Sequence, residues 1–231
     1  MHKYTTLLFD LFNTLLSVAD VPEQVGRFTA DVLGVDHDVW NKACFSSAHD
    51  ITRPTEHEQI IRTLAHSIDS NISDELIVDA TEHRQRRFDY ALTHVRQDVL
   101  DILTDLKRRG MELCLISNAS TAEVSAWGDS PLAQLFDHAV FSCDCGFKKP
   151  NRDIYRHALQ CCDAPHAKTA FIGDGGSDEL MGANNMGLTT IFTSQFSKAE
   201  RVNIVKLQQG SAICHQVEHL SEVQKVLKLQ G

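Results

Sequence analysis

The hydrophobic pattern divides the chain into a short strand, a run of helices, and a long stretch in which strands and helices alternate. Residues 5–9 form a short, apolar, β-prone run, which predicts a buried strand. From about Ser17 to Leu92 the apolar residues recur at helical spacing, and no strand pattern interrupts them. This middle part of the chain is therefore predicted to be a small bundle of three or four helices.

Local signals predict where the helices of this bundle begin and end. Pro22 is predicted to begin a helix that ends at Gly34. Thr55 and Glu58 have the spacing of a capping box before a second helix, and a third helix is predicted to begin near Ser73.

After about Val95 the predicted elements alternate between helix and strand. The predicted helices span 97–109, 121–128, 152–162 and 178–186, the strands span 112–116, 139–141, 169–172 and 189–192, and a last strand and helix follow. Alternation of this kind implies right-handed crossovers and a parallel sheet. The prediction is an α/β fold, with a doubly wound parallel sheet formed by residues 1–16 and 93–231 and a small helical-bundle domain inserted at 17–92.

Composition restricts the classes of partner. The formal net charge of -9 disfavours nucleic acid and anionic membranes, since no long basic stretch offsets the repulsion. The apolar run at the start is too short and too polar for a signal peptide or a membrane span, so a cytoplasmic protein is expected. Seven cysteines are present, and their odd number favours reduced thiols. Cys143 and Cys145 lack the spacing of a zinc knuckle and are interpreted as small buried side chains.

Four polar clusters lie where predicted strands end or where the following helix begins. They are Asp10 to Thr14, Ser117 with Asn118, Lys148 with Lys149, and Gly173 to Asp178. Doubly wound sheets bind ligands at the carboxyl ends of their strands, so the four clusters are predicted to meet in one crevice.

These clusters resemble the motifs of the haloacid dehalogenase superfamily. The matching stretches are LLFDLFNTLL (7–16), LCLISNAS (113–120), GFKKPNRDIY (146–155) and FIGDGGSDELMGANNMGL (171–188). The resemblance implies a hydrolase with a Rossmann-like core, in which the inserted helices form a cap over the first motif.

The chemistry of the carboxylates points to a metal. A carboxylate at Asp10 can attack phosphorus and form an acyl phosphate, which divides hydrolysis into two steps. A hard divalent cation allows two anions to meet, with Asp174 as the natural second ligand and Asp178, one helical turn later, as a direct or water-mediated third. Without a metal, carboxylates this close would retain a proton and lose nucleophilicity.

The resemblance supplies the other expected roles. It implies that Mg²⁺ is also held by the backbone carbonyl of Phe12, that Ser117 donates a hydrogen bond to the transferring group, and that Thr14 supports the first loop. Asn118 is assigned to the same catalytic set. Lys149 is expected to neutralise developing charge and is preferred over Lys148, because it immediately precedes Pro150 as in the family pattern.

Phe12 departs from the phosphatase pattern. Phosphatases of this superfamily usually have a second Asp two residues after the nucleophile, where it transfers protons, and a phenyl ring cannot do this. General acid–base catalysis contributes roughly 10² to 10⁴ in rate, or about 3 to 5 kcal/mol. Asn13 does not replace it, since an amide does not titrate.

Three functions follow from these observations. The first is a Mg²⁺-dependent phosphatase of a small phosphorylated metabolite. The second is a 2-haloacid dehalogenase, which an aromatic residue at position 12 favours, but Asp174 argues against it and the required cap arginine has only Arg27 and Arg53 as candidates. The third is a weakly active protein that binds a phosphorylated ligand or a partner. Trp40, Phe45 and Arg53 are candidates to line the pocket, although core packing or solvent exposure is the preferred interpretation of each.

Overall fold

A six-stranded parallel sheet forms the centre of the protein. The structure, a computed structural model, describes residues 3–228. The strands are β1 (Thr6–Phe9), β2 (Glu112–Ser117), β3 (His138–Phe141), β4 (Thr169–Gly173), β5 (Thr189–Thr193) and β6 (His215–Val217). Every neighbouring pair is parallel, in the order β3-β2-β1-β4-β5-β6. This is a doubly wound order, and it confirms the predicted α/β Rossmann-like fold.

Ten α-helices are described over the same residues. They are α1 (Thr29–Leu33), α2 (His37–Cys44), α3 (His57–Ile68), α4 (Asp74–Thr93), α5 (Gln97–Arg108), α6 (Ser142–Cys145), α7 (Arg152–Cys161), α8 (Glu179–Asn185), α9 (Ala199–Gln209) and α10 (Val223–Val226). No helix among the described residues is long and apolar enough to cross a membrane.

Strand β1 lies in the middle of the sheet and is buried on both faces. Leu7 and Phe9 pack into one hydrophobic cluster with Leu103 of α5, and Leu8 packs into a second cluster with Ile154 of α7. Successive side chains of a strand point to opposite faces, so helices cover both sides of β1. The chain leaves the sheet directly after Phe9, which places Asp10 at the carboxyl edge.

Residues 18–93, which we call the helical segment, contain α1 to α4 and no strand. Trp40, Ile61, Leu64 and Ile77 belong to a hydrophobic cluster that is separate from the two clusters against the sheet. The helical segment therefore has its own small core. A boundary between two domains at residues 17 and 92 stays a prediction.

The predicted helix from Pro22 to Gly34 is wrong at its beginning, because α1 starts only at Thr29 and ends before Gly34 in the left-handed conformation. The guanidinium of Arg87 in α4 donates to the carbonyl oxygens of Val18 and Gly26, each at 2.7 Å. These bonds satisfy backbone acceptors that a helix would otherwise satisfy, so the residues before α1 form turns rather than α-helix.

Two further predictions in this part of the chain are wrong. Helix α3 is preceded by Glu56 without a side-chain cap, and the backbone N–H of Thr55 instead donates to Thr121 Oγ1 across to the sheet. The predicted helix 121–128 consists of two short 3-10 turns, 122–124 and 127–129. In the first of these turns the Glu123 carboxylate accepts the Ser120 N–H, which ties the turn to its own side chain.

Candidate active site

Loops at the carboxyl edge of the sheet bring the predicted catalytic residues together around one lysine. Asp10 follows β1 and Lys149 precedes α7, and their side chains meet with Lys149 Nζ 2.5 Å from Asp10 Oδ1. The same ammonium lies 2.6 Å from Glu179 Oε2 and 3.0 Å from the carbonyl oxygen of Ile116. All three protons of the ammonium therefore have acceptors, and the group is buried.

Asp10 is fixed through both of its carboxylate oxygens. Oδ1 accepts from Lys149, and Oδ2 accepts from Thr14 Oγ1 at 2.7 Å. A tight turn at Asn13 brings Thr14 back to the strand end. Asn13 has a positive φ of 62°, and its N–H donates to Leu16 O at 2.6 Å. Asn tolerates this left-handed conformation better than most residues, so the sequence suits the turn.

Asn118 acts on the backbone of Lys149. Its Nδ2 donates to Lys149 O at 2.9 Å, and its Oδ1 accepts from Lys149 N at 2.7 Å. These two bonds fix the backbone of the lysine, so Asn118 positions Lys149. Lys148 is exposed, whereas Lys149, the lysine preferred from the sequence, is buried.

Three carboxylates surround this single cation. Oxygen atoms of Asp10, Asp174 and Glu179 lie within 4.8 Å of one another, and all three residues are buried. Burial, followed by the charge of Asp10, raises the pKa of Asp174 to about 6. The same two causes raise the pKa of Glu179 well above its usual range. Burial alone would lower the pKa of Lys149, but Asp10 and Glu179 outweigh it and raise that pKa.

The charge of this group fits a divalent metal. Burial makes it costly to ionise all three carboxylates around one ammonium, and a divalent cation would offset that cost. Oxygen ligands are those that Mg²⁺ prefers. Among the described hydrogen bonds, none is donated to the carbonyl oxygen of Phe12, which leaves this oxygen available as a further ligand. The donor set is therefore suited to a hard cation.

Glu179, rather than Asp178, is the second acid of the fourth motif that lies in this group. Asp178 is exposed, with a positive φ of 51°, whereas Glu179 begins α8 and is buried. Gly175 N donates to Glu179 Oε1 at 3.0 Å, and a Cβ at Gly173 would lie 2.2 Å from the same oxygen. One feature of the sequence indicates that Glu179 points inward. It lies four residues before Ala183 and so shares the buried face of α8 with it.

Some buried side-chain polar atoms have no hydrogen-bond partner among the described residues. They include Ser117 Oγ at the end of β2, Ser120 Oγ in the loop that follows, and Nε2 of His49 in the helical segment. His49 Nδ1 lies 3.0 Å from the carbonyl oxygen of Cys44 and must donate to it, since a carbonyl only accepts. Buried polar atoms normally have partners, so Ser117 Oγ, at the carboxyl end of β2, is available to a polar ligand. Ser120 and His49 instead act on Glu123, whose pKa both lower.

Phe12 contacts the helical segment. Its ring packs edge to face on Phe88 of α4 at 5.4 Å, and the Arg84 guanidinium lies 4.5 Å from the centre of the Phe88 ring. Arg84 also pairs with Glu123 of the core at 2.6 Å. Although burial opposes ionisation of Glu123, Arg84 and His49 outweigh it and lower the pKa of this carboxyl. We call Phe12, Arg84, Phe88 and Glu123 the seam, because they join the helical segment to the core.

The candidate residues of the helical segment are engaged elsewhere. Arg27 pairs with Asp79 at 3.0 Å, and Arg53 is exposed and pairs with Asp50 at 2.9 Å. Trp40 is buried in the core of the helical segment, and Phe45 is exposed. Core packing or exposure, the interpretation preferred from the sequence, therefore describes these side chains.

Comparisons with known proteins agree with this fold and these motifs. A family model described as haloacid dehalogenase-like hydrolase matches residues 4–185. The chain is 28% identical over 138 residues to glyceraldehyde 3-phosphate phosphatase of Methanothermobacter thermautotrophicus, covering 58% of this chain and 60% of that protein. It is 26% identical over 198 residues to protein CbbY of Cereibacter sphaeroides, covering 82% and 84%. The crystal structure of a dehalogenase superposes with a TM-score of 0.68, 19% identity and 98% coverage of both chains, a likeness of fold alone.

Proposed function

The chain belongs to the haloacid dehalogenase-like hydrolases, and from this premise we propose that it is a Mg²⁺-dependent phosphatase of a small phosphorylated metabolite, with Asp10 as nucleophile. One observation carries the proposal: Asp10, Asp174 and Glu179 form a buried group whose full ionisation would leave more negative charge than Lys149 can balance. A metal would balance this charge and would attract a phosphate. Displacement at the carbon of a haloacid needs no metal, so the group would be superfluous there.

The residues that would hold Mg²⁺ are Asp10, Asp174 and the carbonyl of Phe12, with Glu179 as a further carboxylate within reach. When bound, the metal supplies positive charge that offsets the repulsion between the phosphate and the nucleophile. Asp178, expected from the sequence as the third acid, is exposed and is left out of this proposal.

The side chains of the core prepare Asp10 for attack. Lys149 donates to Oδ1 of the carboxylate, and Thr14 holds the orientation of Oδ2. An Asp10 oxygen forms a bond to phosphorus while the bond to the leaving oxygen breaks, and Ser117 Oγ, buried and without a partner, donates to the transferring group. Water then hydrolyses the acyl phosphate, which releases phosphate and restores the carboxylate.

The leaving oxygen must gain a proton, and Phe12 cannot provide one. A leaving group with a low pKa departs without being protonated. We therefore expect aryl phosphates to be better substrates than alkyl phosphates. The unpartnered Oγ of Ser117, at the strand end, favours a polar substrate over the alkyl chain of a 2-haloacid. The similarity to a glyceraldehyde 3-phosphate phosphatase supports a small phosphorylated substrate for this chain.

We propose that the helical segment acts as a cap over Asp10. The seam supports this, since Phe12 lies two residues from the nucleophile and packs on Phe88 of the helical segment. Phe12 also supports the second candidate, a dehalogenase, but Arg27 and Arg53 are engaged with carboxylates and neither is free to bind a halide.

The test is hydrolysis of p-nitrophenyl phosphate by the full chain, with Mg²⁺ or with excess chelator. We expect Mg²⁺-dependent turnover that falls on the order of 10⁴-fold or more in Asp10→Asn. Asp174→Asn should lose activity and Asp178→Asn should retain it, which makes the exposed neighbour a matched control.

Other outcomes would overturn the proposal. Turnover that persists in excess chelator contradicts the role of the metal. Release of chloride from 2-chloropropionate without phosphate release identifies the dehalogenase, and inactivity in both assays identifies a binding protein.

A further inference from the structure

A second cluster of metal-ligating side chains lies at the amino ends of the strands, opposite the candidate active site. Glu112 is the first residue of β2, His138 is the first residue of β3, and Cys162 directly follows α7. One ligand atom from each residue lies within 4.8 Å of the other two. Ser117, at the carboxyl end of β2, is five residues from Glu112, or about 16 Å along the strand, so this cluster is distinct from the active site.

The register of the strands creates the cluster. His138 is the partner of Cys114 on β2, and Cys114 shares one face of β2 with Glu112, two residues earlier. Helix α7 packs on this face, which brings Cys162 at its end against the two strand residues. Three separate parts of the chain therefore present a carboxylate, an imidazole and a thiol to one point.

The spacing fits a tetrahedral metal. His138 Nε2 and Glu112 Oε1 are 3.4 Å apart. Ligands at about 2.1 Å from a tetrahedral zinc are separated by about 3.4 Å, so these two atoms already have the required spacing. Thr6 Oγ1 donates to the other carboxylate oxygen, Oε2, at 3.2 Å, which leaves Oε1 directed at His138.

Burial and access also suit a metal. Cys162 is buried, while the side chains of His138 and Glu112 are each about one third exposed, at 34% and 33%. The thiol is thus shielded, and an ion can enter from the side of the other two ligands. The buried thiol of Cys114 donates to the carbonyl oxygen of Leu115 and is thus engaged outside the set.

We propose that Glu112, His138 and Cys162 form a zinc site that ties β2 and β3 to the end of α7. A thiolate with an imidazole selects Zn²⁺ over Mg²⁺, whereas the all-oxygen group around Asp10 has the opposite preference. Because the cluster is remote from Ser117, the bound ion stabilises the fold and takes no part in the reaction. The thiol of Cys162 loses its proton to solvent when it binds.

The experiment uses the metal-free full chain with excess Mg²⁺, titrated with Co²⁺ as a spectroscopic substitute for Zn²⁺. We expect one ion per chain, a thiolate charge-transfer band in the near ultraviolet, and intense visible bands of a four-coordinate ion. Zn²⁺ should displace Co²⁺ and should raise the melting temperature.

Variants separate this site from other binding. Cys162→Ala should abolish the charge-transfer band and weaken Zn²⁺ binding at least tenfold, and Cys161→Ala is the matched control. Cys161 is exposed, adjacent in sequence, and 4.0 Å from His157 Nε2, so it offers the competing thiol and imidazole. If the band disappears in Cys161→Ala, or persists in Cys162→Ala, the proposal is wrong.

A second variant, which keeps the buried thiol, tests the proposal even if Cys162→Ala fails to fold. His138→Gln changes a partly exposed side chain and leaves Cys162 in place. It should retain the far-ultraviolet circular dichroism of the unmodified chain while it loses at least tenfold in Zn²⁺ affinity and the zinc-dependent rise in melting temperature. Unchanged affinity in this variant would overturn the proposal.

Discussion

The two halves of the active site are held in different ways. On the core half, Lys149 makes three hydrogen bonds, Asp10 is bound through both oxygens, and Asn118 holds the lysine backbone, all within the core. On the other half, the seam joins the core to the helical segment through one aromatic contact and one ion pair, while its cation–π contact lies within α4. The side chains around Asp10 are thus preorganised by several bonds within the core, whereas the seam is a junction between two parts of the chain.

The difference is also one of electrostatics. Lys149 is the one ammonium in a buried group of three carboxylates, so its removal leaves charge with no compensation. The Arg84 and Glu123 side chains are 15% and 10% exposed, and their loss is partly offset by water. Substitutions in the two halves should therefore differ in size as well as in kind.

The largest expected effect is that of Lys149→Met. It removes the cation between Asp10 and Glu179, and breaking a buried ion pair from one side costs about 3 to 5 kcal/mol. We expect this loss in urea unfolding together with loss of phosphatase activity. Lys148→Met, at an exposed position, should change neither. An active, stable Lys149→Met protein would contradict the arrangement that we describe for the core half.

Phe12→Asp tests whether the effect of Phe12 lies in its contact with the helical segment or in the absence of a proton carrier. It restores a proton carrier, and we expect the kcat on alkyl phosphates to rise at least 10²-fold, equivalent to about 3 kcal/mol in the barrier. Phe12→Asn is the control, because it removes the same contact with Phe88 and cannot titrate. Equal rates in the two variants would show that the missing proton carrier does not limit the reaction.

Glu123→Gln breaks the ion pair of the seam and leaves Arg84 without its carboxylate. We expect a loss of about 2 kcal/mol of unfolding free energy at neutral pH. The folded protein lowers the pKa of Glu123, so the pair stabilises above the unfolded pKa of about 4.3 and this contribution is lost as pH falls through the lower folded pKa. Urea unfolding across this pH range should show the variant and the unmodified chain converging in acid, and a constant difference would contradict this assignment.

The core half could be predicted from the sequence because its residues lie at the carboxyl ends of the strands. Alternation of strands and helices indicates a parallel sheet, and a parallel sheet brings Asp10, Ser117 and Asp174 to one edge. Glu179 was missed because Ser177 and Asp178 both adopt positive φ, which turns the chain before α8 and shifts the inward-facing acid by one residue. Neither residue is a glycine, so the hydrophobic pattern contains no sign of that turn.

The seam and the second cluster could not be predicted in this way. Phe12 and Phe88 are distant in sequence, and so are Arg84 and Glu123; their contacts depend on how the helical segment lies on the core. Their individual patterns are those of ordinary helix and loop residues. Cysteine spacing likewise drew attention to Cys143 and Cys145 within α6, whereas Cys162 meets its neighbours only through strand register and helix packing.

The smallest expected effect is that of Asn118→Ala, which tests how far the core half depends on positioning. The variant removes both hydrogen bonds to the Lys149 backbone and leaves the ammonium in place. We expect kcat to fall about tenfold, equivalent to about 1.4 kcal/mol, with KM nearly unchanged, because the lysine loses orientation and the phosphate site does not.

Asn151→Ala is the matched control for this prediction. Asn151 lies two residues after Lys149 and caps α7, where its Oδ1 accepts from Asp153 N at 3.0 Å. Its loss should cost about 1 kcal/mol of stability and leave kcat intact. A general loosening of the loop would lower kcat equally in both variants, whereas positioning through Asn118 lowers it in one. Only the second result would show that the rigidity of the core half, and not merely its charge, contributes to the reaction.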